Sequence, residues 1–262
     1  MSDSVRIDKN ILMIVGLVVI LAVGAFYLTS QKNTPQTQNT SQLQNQTGAQ
    51  NNSGALTNNT TFVAANTTLN VPNQVSIPTL INGSMKMGSD NSTLVMVEFA
   101  DLQCPFCRKF WYQSLANIRK EYIDNGKVQF IYRNLPLDVY PMSEPSAEAL
   151  LCAKEQGKEW ELHDKIYLEQ IKIGALGLVR YGSYELLKWA NETGLDMVPF
   201  QTCLSSQKYQ AVIQNDKDYA KSLGFTNTPS FIIARRDGSD WVPIIGTQKY
   251  DTYNSTINNL LR

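Results

Sequence analysis

Two cysteines three positions apart are the residues of this chain best suited to chemistry. Cys104 and Cys107 enclose Pro105 and Phe106, and the group follows an apolar run at residues 94–100. A cysteine attacks as its thiolate, and the unpaired N–H groups in the first turn of a helix favour that anion. Pro105 suits the first helical position because its missing N–H would have no partner there. The spacing predicts a redox dithiol at the start of a helix, with the two thiols close enough to form a disulfide.

A metal site is the alternative use of such a pair. Structural zinc takes four thiolate or imidazole ligands, whereas this sequence has no second CxxC and its one histidine, His163, has no histidine nearby. Asp90, Asp101 and Asp196 offer oxygen ligands, but their spacing is not that of a calcium loop. We therefore predict no metal and no separate cofactor, only the disulfide that the two cysteines form.

The elements that must position the dithiol follow from the spacing of apolar residues. Residues 94–100 predict a buried strand, residues 108–125 a helix, and residues 128–132 a second strand. The helix makes the connection long enough for the two strands to pair in parallel. Glu98 is the one charge in the first strand. It is either a buried acid with a function or a solvated residue at the edge of a sheet.

Beyond these strands the pattern changes to helices and then returns to strands. Breaks that contain glycine separate four predicted helices, at residues 144–156, 158–173, 183–193 and 198–223. Two strands joined by a tight turn and a closing helix follow, at residues 230–234, 241–245 and 250–261. The order β-α-β, a helical insert over about 143–223, and β-β-α predicts one α/β domain at residues 77–262.

The amino-terminal part has a different composition. Residues 11–28 contain no charge and have the length of a short membrane-spanning helix. The basic residues Arg6 and Lys9 precede this segment and favour a cytoplasmic location for residues 1–10. A cleaved signal peptide is the alternative to an uncleaved signal anchor. Both interpretations place the rest of the chain on the extracytoplasmic side.

The segment between the predicted membrane span and the α/β domain is polar and almost uncharged. Residues 29–76 are rich in Asn, Gln and Thr and contain one charged residue, Lys32. Such a composition buries too little apolar surface to fold, so it predicts a flexible tether. The whole chain has 23 basic and 23 acidic residues and no cluster of basic residues, so the charge pattern does not favour nucleic-acid binding.

Residues 87–261 resemble the DsbA-like thiol-disulfide oxidoreductases, which have a thioredoxin fold with an inserted helical domain. Three stretches carry the resemblance in the right order. They are Val-Glu-Phe-Ala-Asp before Cys-Pro-Phe-Cys at residues 97–107, Cys-Ala-Lys-Glu-Gln-Gly-Lys-Glu-Trp-Glu-Leu-His-Asp at 152–164, and Gly-Phe-Thr-Asn-Thr-Pro-Ser-Phe at 224–231. The resemblance does not extend to the predicted membrane span or the tether.

The resemblance implies a role for each matching residue. Cys104 corresponds to the exposed nucleophile and Cys107 to its buried partner. Thr228-Pro229 corresponds to a cis-proline loop that faces the dithiol and presents backbone groups to a bound polypeptide. Glu98 corresponds to a buried acid that exchanges protons with the second thiol, and burial in an apolar strand should raise the pKa of a carboxyl group.

Phe106 is the departure from the family pattern. Strongly oxidising members have histidine between the proline and the second cysteine, where the imidazole favours the thiolate. Phe106 has no such group, so we expect a less oxidising dithiol whose activation depends on the helix terminus. Pro105, Phe106 and Thr228 are the expected contacts for substrate.

Cys152 and Cys203 are a second pair of cysteines, outside any CxxC. In an oxidising compartment such a pair more often forms a structural disulfide than a second active site, and some members of the family carry this bridge. Two free thiols are the alternative.

The leading functional prediction is a monomeric enzyme that passes its disulfide to exported proteins with reduced cysteines. A quinone-linked membrane partner would then reoxidise it. An isomerase or reductase uses the same chemistry, but these usually need a dimer or a dedicated electron donor, and no dimerisation domain is evident. An extracytoplasmic copper carrier with the same fold would need CxxxC and a distal histidine, so it fits less well.

Overall fold

The computed structural model describes residues 75–82 and 85–262. The predicted membrane span at residues 11–28, the segment 1–10 before it and nearly all of the predicted tether at 29–76 lie outside these residues. Within the described part of the chain, no helix combines the length and the apolar composition that crossing a bilayer requires.

The described chain contains five strands in one mixed sheet. They are β1 (Met85–Met87), β2 (Leu94–Ala100), β3 (Val128–Asn134), β4 (Ser230–Arg235) and β5 (Trp241–Ile245). Their order across the sheet is β1-β3-β2-β4-β5. β2 and β3 pair in parallel, as their connection predicts, and the other three pairings are antiparallel. β1 was not predicted, because three residues are too short to show a periodic pattern.

Nine α-helices lie in the described residues. They are α1 (Ile77–Leu80), α2 (Pro105–Phe110), α3 (Ala116–Ile118), α4 (Ser143–Lys154), α5 (Glu159–Gly174), α6 (Ser183–Glu192), α7 (Met197–Ser206), α8 (Gln210–Ser222) and α9 (Tyr250–Leu260). α2 and α3 belong to one helical run, which continues through π-helical turns at Trp111–Leu115 and Arg119–Ile123. Helices α4 to α8 form the insert between β3 and β4.

The prediction of a single helix over residues 198–223 is wrong. The helix breaks at Gln207, whose φ of 52° places it in the left-handed region, and α8 starts three residues later. A left-handed residue that is not glycine costs roughly 1 kcal/mol, so sequence patterns do not anticipate it. Neither glycine nor proline marks this break, and only the packing of the insert decides it.

Alternation along β2 directs its side chains to two apolar layers. Leu94 and Met96 pack with Phe110 and Tyr253, on the side of α2 and α9. Val95, Val97 and Phe99 belong to a second cluster with Leu223 and Phe225. Because successive side chains of a strand point to opposite faces, Glu98 projects on the same side as Leu94 and Met96. The acid therefore lies beneath the helix that carries the dithiol.

Cys152 in α4 and Cys203 in α7 form a disulfide within the insert. The bridge joins two helices whose apolar faces also meet in the core of the insert. It is separate from the CxxC, where both cysteines are free thiols.

Replacing both Cys152 and Cys203 by Ala should reduce the free energy of unfolding by up to about 4 kcal/mol, because the bridge closes a long loop in the unfolded chain. The two cysteines are 51 residues apart. Chemical denaturation of the oxidised and reduced wild type and of the double variant measures this loss. Reduced wild type serves as the control and should match the variant. Equal stability of all three forms would contradict the prediction.

Candidate active site

Cys104 caps α2, and Cys107 lies in the first turn of the helix. Cys104 has an extended backbone, and Pro105 occupies the first helical position. The amide of Arg108 donates to the carbonyl oxygen of Cys104 at 3.2 Å, which closes the first turn. The fold thus brings both thiols to a helix terminus with unpaired N–H groups.

Cys104 is less accessible than the resemblance implied. Cys104 is only 2% exposed, and Cys107 is 0% exposed. The Sγ atom of Cys104 lies 3.5 Å from the carbonyl oxygen of Thr228, in the loop that precedes β4. The expectation of an exposed nucleophile is therefore wrong for this conformation, because the facing loop covers the sulfur.

The pKa values of the two thiols are shifted in opposite directions. A hydrogen bond from the Cys107 side chain is the main cause that lowers the pKa of Cys104 from 9.0 to about 7, and contacts from Thr228 and two backbone amides act in the same direction. Burial opposes this shift. Burial is also the main reason that the pKa of Cys107 is raised well above its ordinary value. As the pH rises, Cys104 is consequently the first of the two thiols to ionise, and it is about half ionised near pH 7.

Thr228 and Pro229 form the loop that faces the dithiol. The peptide bond between them is cis. The carbonyl oxygen of Pro229 accepts a hydrogen bond from the Gly246 amide at 2.8 Å, which ties the loop to the end of β5. Thr228 Oγ1 is buried and has no hydrogen-bond partner among the described residues. The loop therefore presents polar groups of Thr228 towards Cys104.

Glu98 lies in the centre of the sheet, between Tyr132 of β3 and Phe231 of β4. The residue is 2% exposed, and its Oε1 atom has no hydrogen-bond partner among the described residues. Burial, and next the charge of Cys104, raise the pKa of Glu98 well above its ordinary value. The charge of Glu98 in turn helps to raise the pKa of Cys107. A raised pKa brings a carboxyl group closer to the acidity of a thiol, which favours proton exchange between the two groups.

Phe106 is the exposed member of the CxxC, with 58% of its surface accessible. The hydroxyl group of Thr247 donates to the Phe106 carbonyl oxygen, which connects α2 to the chain after β5. Pro105 beside it is partly exposed. An exposed aromatic ring next to Cys104 provides an apolar surface for a side chain of another polypeptide.

Asp101 has a structural role that sequence reasoning missed. Its carboxylate accepts the Ser143 hydroxyl at 2.6 Å and the backbone amides of Gln103 and Leu137, each at 2.8 Å. Its own amide donates to the Sγ atom of Cys107 at 3.5 Å. One side chain thus joins the turn before the dithiol to the loop after β3 and to the start of the insert. Only its place between the strand and the CxxC signals this role.

Arg108 is a second residue that sequence reasoning missed. It is 0% exposed, and it donates to Gln170 Oε1 at 2.6 Å and to the carbonyl oxygen of Gly177. Gln170 Nε2 donates to the Leu102 carbonyl oxygen at 2.7 Å, so these groups connect α2 through α5 to the turn before Cys104. No carboxylate of the described chain pairs with Arg108, and burial lowers its pKa. A buried cation this close to the dithiol favours the thiolate form of Cys104.

Other residues that could bind a metal are bonded to each other or buried in the core. Cys152, Cys203 and Glu155 have their ligand atoms within 4.8 Å of one another, but the two sulfur atoms are bonded in the disulfide. His163 is 0% exposed and lies against the rings of Tyr132 and Tyr167. Within the described residues, this histidine is part of the core.

The fold and the dithiol together define a thiol-disulfide redox protein. A family model described as Thioredoxin matches residues 80–259, so the chain belongs to that family. The structure of Wolbachia pipientis alpha-DsbA1 has 23% sequence identity and a TM-score of 0.58, and the match covers 68% of this chain and 91% of that one. At this identity the likeness establishes the fold, a thioredoxin-like α/β domain with inserted helices.

Two curated relatives differ in how much of their length is matched. The "Probable disulfide bond formation protein D" of Bacillus anthracis is 28% identical over 149 residues, which are 56% of this chain and 68% of that protein. The "Na(+)/H(+) antiporter NhaA 3" of Salinispora tropica is 31% identical over 150 residues, 57% of this chain. Those residues are only 21% of the antiporter, so the match concerns one part of it.

Replacing Cys107 by Ala should raise the pKa of Cys104 from about 7 towards 9, because the largest cause of the lowered value is removed. The ultraviolet absorbance of the thiolate, followed against pH in the reduced protein, measures this pKa. Cys107→Ser is the matched control, since its hydroxyl group still donates a hydrogen bond. If both variants titrate like the wild type, the helix terminus and not Cys107 activates the nucleophile.

Glu98→Gln should change how stability depends on pH. An ordinary glutamate ionises near 4.5, so above this pH the unfolded chain loses the proton of Glu98 while the folded chain retains it. A raised pKa in the folded state therefore means that the wild type loses stability as pH rises, and the amide variant lacks this loss. Denaturation of both reduced proteins from about pH 4 to about pH 8 tests the sign. A stability difference that stays constant with pH would contradict it.

Proposed function

We propose that this protein is an extracytoplasmic protein disulfide oxidoreductase that introduces disulfide bonds into exported proteins through Cys104 and Cys107. One observation carries the proposal. Two thiols whose pKa values are shifted in opposite directions lie at the start of one helix, and the sulfur of Cys104 contacts the Thr228 carbonyl oxygen. Its match to a relative named as a disulfide bond formation protein supports the same activity.

The reaction begins with the Cys104–Cys107 disulfide. A substrate thiolate attacks the Sγ atom of Cys104, a mixed disulfide forms, and Cys107 leaves as a thiolate. Because the pKa of Cys107 is well above its ordinary value, this thiolate takes up a proton, and Glu98, whose carboxyl pKa is also raised, is the proposed donor. A second substrate thiolate then attacks the substrate sulfur and releases Cys104. Two electrons pass from the substrate to the dithiol.

The lowered pKa of Cys104 makes its release favourable. A thiol with a lower pKa is the better leaving group. When the second substrate thiolate attacks the substrate sulfur of the mixed disulfide, Cys104 therefore leaves readily as a thiolate. Arg108 and the hydrogen bond from Cys107 both stabilise the departing thiolate. Phe106 and the cis-proline loop are the proposed apolar contact and backbone contact for the polypeptide, and Pro105, Phe106 and Thr228 are the proposed substrate-binding residues.

The proposed location and partners follow from the sequence outside the described residues. Residues 11–28 would anchor a single-pass protein in the cell membrane, and residues 29–76 would let a monomeric catalytic domain move over the outer surface. A disulfide within the insert is compatible with an oxidising compartment. A quinone-linked membrane protein is the proposed acceptor for the two electrons.

The acidity of Cys104 also favours a second candidate, a reductase or isomerase. Nucleophilic cysteines of such dithiols have pKa values from about 3.5 in the strongest oxidants to about 7 in thioredoxin. A value of about 7 for Cys104 lies at the reducing end of this range.

Oxidative refolding of a reduced, unfolded protein with full-length enzyme separates the two directions. Wild type supplied in its Cys104–Cys107 disulfide form should accelerate disulfide formation, whereas Cys104→Ser and Cys107→Ala, which cannot form that disulfide, should be inactive. Cys152→Ala with Cys203→Ala is the control and should retain activity. The midpoint potential of the dithiol is measured in parallel. A potential at or below the thioredoxin value of about −270 mV, without oxidase activity, would instead identify a reductase.

A further inference from the structure

A cavity of about 560 Å³ lies between helices α4, α6, α7 and α8 of the insert. Its volume falls within the range of small-molecule sites, about 300 to 1,000 Å³. The walls include the apolar side chains of Leu186, Leu187, Leu204 and Ile213. None of the residues that line it belongs to the dithiol site. The Cys152–Cys203 disulfide joins two of the four helices, so these walls are fixed relative to each other before any ligand binds.

Glu148 is a buried acid at this cavity with one oxygen unused. The residue is 5% exposed, and its Oε1 atom accepts the backbone amide of Tyr209 at 2.9 Å. Its Oε2 atom is buried and has no hydrogen-bond partner among the described residues. A buried polar atom without a partner is costly, so the site lacks a donor that a ligand can supply.

Two lysines of the insert already form ion pairs with other acids. Lys217 pairs with Glu144 at 3.1 Å, and Lys208 pairs with Glu155 at 2.7 Å. Within the described chain, no lysine or arginine forms an ion pair with Glu148. Burial raises the pKa of Glu148, and a cation bound to its oxygen would restore the carboxylate form. The charge of Lys208 acts on Glu148 without forming an ion pair, so the cavity combines apolar side chains with one buried acid that is only partly compensated.

We propose that this cavity binds a small amphipathic amine, with its ammonium group on Glu148 Oε2 and its apolar chain along Leu186, Leu187 and Leu204. An ammonium group brings both the missing donor and the opposite charge, which strengthens the hydrogen bond. An anion would be repelled by Glu148, and a neutral alcohol would supply the donor without the charge. The proposal is independent of the dithiol chemistry, because the two sites share no residue.

Methyl NMR of the full-length chain in lipid nanodiscs tests the proposal with hexylammonium, 1-hexanol and hexanoate as probes. The methyl groups of Ile213 and Leu204 report the cavity, and not partition of the probe into lipid. Hexylammonium should bind at least about tenfold more tightly than 1-hexanol, and hexanoate most weakly. Glu148→Gln should remove this preference and keep the binding of 1-hexanol, since the amide oxygen still accepts from Tyr209.

Two further variants keep the result interpretable. Glu161→Gln removes one negative charge on α5, away from the cavity, and should preserve the preference for the ammonium probe. Ala211→Trp, at an exposed position that lines the cavity, should block both hexylammonium and 1-hexanol. Equal affinities of these two probes, or a preference for ammonium that survives in Glu148→Gln, would overturn the proposal.

Discussion

The hydrogen bonds of the Asp101 carboxylate are the constraint on which the geometry of this site depends. The carboxylate binds the turn before the dithiol, the loop after β3 and the first residue of the insert, Ser143. The backbone oxygen of Asp101 also accepts the amide of Cys104 and the hydroxyl group of Tyr167 from α5. A thioredoxin-like sheet and a separate group of helices are thereby held around one short turn. These hydrogen bonds therefore determine the positions of the two thiols.

The chemistry of the site depends on a difference in environment between neighbouring atoms. Cys104 lies at the end of the turn between β2 and α2, where hydrogen-bond donors surround its sulfur. Cys107, one helical turn later, is enclosed in the core. Desolvation penalises both thiolates, but only Cys104 has enough hydrogen bonds to offset this penalty. Glu98, in the apolar sheet beneath, is subject to the same penalty, which raises its pKa well above the ordinary value. Burial and hydrogen bonding thus shift the pKa values of three neighbouring groups, downward for Cys104 and upward for Cys107 and Glu98.

Tertiary packing also explains which elements were predicted poorly. Long segments with a strong apolar pattern, such as β2 and the helix after the dithiol, were predicted to within a few residues. β1 is too short for periodicity, and it exists because the edge of β3 was available for pairing. The break at Gln207 has no local signal, and neither does the burial of Arg108, since arginine is normally a surface residue. Both depend on the helices of the insert, which are distant in sequence from the residues they affect.

The sequence by itself determined the reactive group and the class of fold. Spacing predicted the dithiol at a helix start, apolar periodicity predicted the central strands, and three motifs in order indicated a resemblance to the DsbA-like proteins. The tertiary structure decided the environment of each group: how little of Cys104 is exposed, which acid stays unpaired, and which cation lies near the thiols. The reason is physical. Local patterns depend on neighbouring residues along the chain, whereas pKa values and accessibility depend on burial and on contacts between segments that only the folded chain brings together.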